Sequence, residues 1–74
     1  MNTQQINTTR LNKWGNNTLV YAKPSIYRPG AFDAVTYGNR SQATRKMNEL
    51  QAAGIDCYIY QGHCFYVAIK EPLS

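Results

Sequence analysis

The spacing of apolar residues changes once between Asn39 and Lys70, and that change constrains the fold more than anything else in the chain. From Arg40 to Ala53 strong helix formers run without a proline, and Ala43, Met47 and Leu50 recur at i, i+4 and i+7, which aligns them on one helix face. Asn39 is a favourable N-cap with Gln42 three residues on, as in a capping box, and Gly54 stands where a left-handed residue ends a helix. After Gly54 the period becomes two. Ile55, Cys57 and Ile59 alternate with Asp56, Tyr58 and Tyr60, and Phe65, Val67 and Ile69 alternate with Cys64, Tyr66, Ala68 and Lys70. Two such runs around Gln61-Gly62-His63 predict a β-hairpin.

Parity then limits the register. For the two aliphatic faces to coincide, the loop needs an odd number of residues, most simply Gln61 to His63, with Ile59 opposite Phe65, Cys57 opposite Val67 and Ile55 opposite Ile69. Cys57 then points to the core and Cys64 away from it, so no disulfide is expected between them.

Upstream, Thr18 to Ala22 reads as a short strand stopped by Lys23-Pro24, and Ser25 to Gly30, containing Pro29-Gly30, reads as a loop. Ala31 to Tyr37, with Phe32, Val35 and Tyr37 as its bulky members, reads as a second strand closed by Gly38. Residues 1–17 are rich in Asn, Thr and Gln and lack an apolar period, which predicts a flexible polar N-terminal arm. Trp14 within it either folds back onto the domain or serves as a binding anchor. The expected fold is α+β: a single small domain over residues 18–74, ordered β-β-α-β-β, with one amphipathic helix on a small, mainly antiparallel sheet.

A chain of 74 residues buries only about 60% of the surface it exposes when unfolded, so a deep substrate pocket is hard to build. Two cysteines are too few for a secreted disulfide framework, and neither a signal peptide nor a membrane span is recognisable, which predicts a cytoplasmic protein. Met1 to Phe32 holds four cations (Arg10, Lys13, Lys23, Arg28) and no acid, whereas four cations and four acids balance from Asp33 onward. The net charge of +4 therefore comes from the first segment. A one-sided field of that kind favours an anionic partner, or else serves only solubility.

Catalytic chemistry has few carriers. His63, the only histidine, falls at the predicted hairpin tip with no carboxylate near it in sequence, and Cys57, His63 and Cys64 do not have zinc spacing. Asp33, Glu49, Asp56 and Glu71 form no acid/base pair, and the five glycines are isolated, without a phosphate-binding loop. The expectation is a non-enzyme without cofactor or metal.

Binding is better supplied. One helix covers one side of a sheet, so the other side should present Tyr58, Tyr60 and Tyr66, with Tyr21 a candidate fourth. Such a face can stack unpaired bases, contact a protein, or lie under the N-terminal arm. An exposed sheet edge, either Thr18 to Ala22 or one hairpin arm, can also accept an extended peptide. The candidate partner-binding residues are Lys13, Trp14, Lys23, Tyr27, Arg28, Tyr58, Tyr60 and Tyr66.

From Val35-Thr36-Tyr37-Gly38-Asn39-Arg40 through Cys57-Tyr58-Ile59-Tyr60-Gln61-Gly62 to Phe65-Tyr66-Val67, the chain resembles short phage and prophage open reading frames, in which a strand leads to a basic helix and an aromatic hairpin. The likeness covers roughly residues 31–70 and includes no diagnostic motif. It implies a host-takeover factor that binds a bacterial protein complex in the host cytoplasm. RNA polymerase is the favoured target, with transcription inhibition or antitermination as the outcome, and a CRISPR effector the alternative. A single-stranded nucleic-acid-binding module is the reading from a different class. Oligomeric state is not legible in the residues.

Overall fold

The computed structural model describes residues 6–12 and 15–70. Six elements follow in chain order: β1 (Thr8–Leu11), β2 (Thr18–Pro24), β3 (Phe32–Ala34), α1 (Arg40–Ala52), β4 (Cys57–Gln61) and β5 (Phe65–Ile69). One helix packs on a five-stranded, mainly antiparallel sheet in the order β1-β2-β5-β4, with β3 paired to β2 beside this path. The α+β class is as the residues predict, with one strand more than expected.

That strand is β1. Thr8 to Leu11 fall within the segment read as a flexible arm, yet they pair with β2 through Thr8↔Tyr21 to Leu11↔Thr18. Ala22 N–H also donates to Asn7 C=O at 2.9 Å. Thr8 and Thr9 are β-branched and suit a half-buried strand once a partner is present.

Asn39 and Gly54 bound the helix as expected. Asn39 Oδ1 accepts from Gln42 N–H at 3.0 Å, and Gly54 follows the C-cap Ala53 with φ +89°. Ala43 and Leu50 are buried. Leu50 joins Cys57 and Val67 in the core under the helix, with Met47, Tyr21, Tyr37, Ile55, Ile69 and Ile6 packed around them.

The hairpin keeps the predicted parity but slips by two residues. Ile59 opposes Val67, Cys57 opposes Ile69 and Gln61 opposes Phe65, so the turn is Gly62 to Cys64, closed by Gly62 N–H donating to Cys64 C=O at 2.9 Å. A two-residue slip leaves every side chain on its own face, so the apolar pattern has no power to choose between the registers.

The predicted strand from Ala31 to Tyr37 is shorter, because the chain changes partner midway. Phe32 to Ala34 pair with β2, Val35 N–H donates to Tyr21 C=O, and Tyr37 then exchanges hydrogen bonds with Phe65 of β5 at 2.9 and 3.1 Å. Thr18 to Ala22, a candidate free edge in the sequence, is interior: β2 meets β1, β3 and β5. Its antiparallel contact with β5 is centred on Val20↔Ala68.

Candidate binding surface

Alternation along the strands sorts the tyrosines. Tyr58 and Tyr60 lie across from Ala68 and Tyr66, and Ala68 lies across from Val20. All five therefore share the face turned away from α1. Tyr21, next to Val20, points the other way, into the core beneath the helix, where Lys46 Nζ sits 5.3 Å from its ring centroid. It does not join the tyrosine face.

That face is largely closed. Val20, Tyr66 and Ala68 are buried, Tyr66 to 3% exposure, and Tyr60 is half-buried. Asn16, just ahead of β2, donates its Nδ2–H to Tyr60 Oη at 2.7 Å here. The rings of Tyr60 and Tyr66 lie 5.9 Å apart, tilted by 47°, within the range of favourable aromatic pairs. Tyr58 alone of the three is exposed, at 43%. A stacking platform of three open rings is not what the fold presents.

Among the described residues the most exposed large apolar side chains are instead at the β2–β3 tip, where Ile26 is 85% and Tyr27 82% exposed. The loop beneath them is tied. Ser25 Oγ accepts from Tyr27 N–H at 3.1 Å and Arg28 N–H at 3.2 Å. Ser25 N–H donates to Ala31 C=O and Ala31 N–H to Arg28 C=O, at 3.0 and 3.2 Å. Gly30 takes φ +80°, a conformation that glycine adopts without steric cost. Lys23 and Arg28 are exposed on either side. Among the described residues neither forms a close ion pair, although Asp33 stands across from Lys23 in the ladder. Phe32, at 39% exposure, adds a third apolar group at the base.

The sequence-derived candidates thus fall into separate groups. Lys23, Tyr27 and Arg28 gather at the tip; Tyr58, Tyr60 and Tyr66 lie on the sheet, mostly covered; Lys13 and Trp14 lie outside the described residues. Ile26 was missed, because a single isoleucine in a proline-bounded loop carries no periodic signal.

A groove of ≈ 270 Å³ runs along the helix, lined by Tyr37, Gln42, Arg45, Lys46 and Glu49. Its carboxylate is engaged, with Glu49 Oε1 2.8 Å from Lys46 Nζ, and that hydrogen bond is the main reason the Lys46 ammonium is held above its ordinary pKa. Among the described residues no three His, Cys, Asp or Glu side chains converge as a metal site requires, and no helix is long and apolar enough to cross a membrane.

The thiols differ sharply. Both cysteines are free, Cys57 buried and Cys64 half-buried in the turn. Burial, aided by the neighbouring Asp56 charge, pushes the Cys57 thiol above its ordinary pKa, and its Sγ–H donates to Met47 C=O at 3.5 Å. Burial likewise raises the Tyr37 hydroxyl. An acid whose folded pKa is raised favours folding only while protonated, so its contribution is complete below the unfolded pKa and disappears as pH rises through the folded value. Urea unfolding should show stability falling once pH rises past about 8.5, where an unfolded thiol ionises, and falling further above about pH 10, where an unfolded tyrosine does. In the same pH range a thiol reagent should label Cys64 first and Cys57 only as the chain unfolds. Equal labelling rates would mean that Cys57 is not buried.

No protein-family model, curated protein or solved structure matches this chain.

Proposed function

We propose that this chain is a protein-binding module of the phage host-takeover kind, acting in the cytoplasm of a bacterial host by docking its β2–β3 tip into a larger complex. The observation that carries this reading is the pairing of two almost fully exposed apolar side chains, Ile26 and Tyr27, with a hydrogen-bonded loop that holds them in place. Exposed hydrophobic residues scattered singly need no explanation. An adjacent pair on a tied loop is different, because little conformational freedom is lost when it is buried. Tyrosine is a frequent binding anchor, and Lys23 and Arg28 beside it suit an apolar pocket with an acidic rim.

The module inhibits or modulates its target by occupying a surface, and it catalyses nothing. RNA polymerase is the first complex to test, on the resemblance to phage host-takeover proteins, and a CRISPR effector is the second. The burial of Tyr66 and the engagement of Tyr60 by Asn16 weigh against a base-stacking nucleic-acid module.

Purified bacterial RNA polymerase and a CRISPR effector should be titrated with the protein after nuclease treatment. Binding to one of them is expected, with Ile26→Ala/Tyr27→Ala weakening it by about 2 kcal/mol or more and leaving the unfolding midpoint unchanged. Binding that survives the double substitution would remove the tip from the reading. Failure to bind either complex, together with salt-sensitive binding of single-stranded oligonucleotides, would replace it with the nucleic-acid one.

A further inference from the structure

We propose that the outer edge of β4 pairs with the same edge of a second copy, antiparallel about Ile59, so that the two sheets join across a two-fold axis. This goes beyond the tip's role and does not depend on it.

The alternation of hydrogen bonds along an antiparallel ladder decides which way each backbone group points. Lys70 N–H donates to Asp56 C=O and Gly62 N–H to Cys64 C=O, so the even-numbered residues of β4 bond inward to β5. Phe65, across from Gln61, spends its own N–H and C=O on Tyr37. Cys57, Ile59 and Gln61 therefore point their backbone groups outward, at the end of the β1-β2-β5-β4 order where, among the described residues, no further strand stands. A side chain confirms the direction: Gln51 Nε2 of the helix donates to Cys57 C=O at 3.2 Å. That carbonyl keeps a second lone pair.

Sheet edges are ordinarily blunted by shortness, charge, proline or a bulge. The opposite edge, β1, has four residues and includes Arg10. By contrast β4, Cys-Tyr-Ile-Tyr-Gln, carries neither charge nor proline. Its sequence is also complementary to itself. With Ile59 on the axis, Cys57 meets Gln61 of the second copy, and their outward groups complete the ladder. Tyr58 meets Tyr60 of the second copy at a non-hydrogen-bonded position, where side chains approach most closely.

The half-exposed Tyr58 ring would thereby extend the Tyr60–Tyr66 pair into a row of three. On the other face the two Ile59 side chains meet. The antiparallel sense also sends the two Asp56 carboxylates to opposite ends, each across from a Gly62, whereas a parallel pairing would set them side by side. An isologous contact of this kind closes on itself and stops at two copies.

Light scattering on the full chain from micromolar to millimolar concentration, with amide hydrogen exchange on the same samples, tests the proposal. The mass should rise from one copy to two. The Ile59 and Gln61 amides should exchange quickly when dilute and slowly once the mass has doubled. Tyr58→Lys, at an exposed site, should weaken self-association by about tenfold or more without changing the thermal midpoint of the dilute protein. Ile26→Ala/Tyr27→Ala should self-associate as the parent does. A mass of one copy at every concentration overturns the proposal, as does a dimer in which the Ile59 amide still exchanges at its dilute rate.

Discussion

Replacing Tyr66 with alanine should remove about 3–5 kcal/mol of folding stability, the cost of emptying a fully packed aromatic site. Its ring is buried, rests against Tyr60 and sits on the same face as Val20 and Ala68. A domain of this size has only about 4–11 kcal/mol in total, so a single substitution would consume a large share of it. The thermal midpoint should fall by roughly 12–40 °C, taking about 4–8 °C per kcal/mol for a domain of this length. Tyr58→Ala, at an exposed position on the same face, is the control and should cost about 0.5 kcal/mol or less. Equal effects for the two would mean that the face opposite the helix is open to solvent, and the tyrosine platform would return as a contact surface.

The second large effect is expected on the other face. Leu50 reaches from α1 into the core formed with Cys57 and Val67, and Leu50→Ala should destabilise by about 2–5 kcal/mol. Urea titration followed by circular dichroism measures it. The spread in that range reflects how far Met47 and Ile55, packed against the same cluster, can move into the space left behind. A loss under about 1 kcal/mol would mean that α1 is held mainly by its own helical propensity and not by packing on the sheet.

Features decided over a few residues were readable in the chain. Asn39 and Gly54 set the ends of the helix through local geometry alone, and Ala43, Met47 and Leu50 share a face because their spacing obliges it. The two faces of the hairpin were readable for the same reason. Its register was not, since a slip of two residues keeps Cys57, Ile59, Val67 and Ile69 where they were. The side taken by Tyr21 depends on how β2 meets β5, through Val20 and Ala68, and nothing near Tyr21 in sequence encodes that meeting. Strand β1 escaped because Thr-Thr-Arg-Leu has no apolar alternation of its own and takes its order from the strand beside it. At the site, the loop was foreseeable from Pro24, Pro29 and Gly30, and its cations were too. The exposure of Ile26 and the closing of the tyrosine face by Asn16 were not, because both depend on where distant segments come to rest.

The pairing of β2 with β5 has a further consequence, which concerns the order of events in folding. The β1–β2 hairpin and the α1–β4–β5 unit each consist of neighbours in sequence, whose contacts can form early. The strand contact that joins them brings together Val20 and Ala68, far apart in sequence, and closing so long a loop must precede the reward of its contacts. Neither part has a complete core before then: Val20 lies in one, while Leu50, Cys57 and Val67 lie in the other. During synthesis the sheet cannot be completed until Ala68 has left the ribosome. Until that moment the edges of β2 and β5 that later meet are available to any other strand, so a chain whose two parts have formed but not yet joined is most open to mispairing.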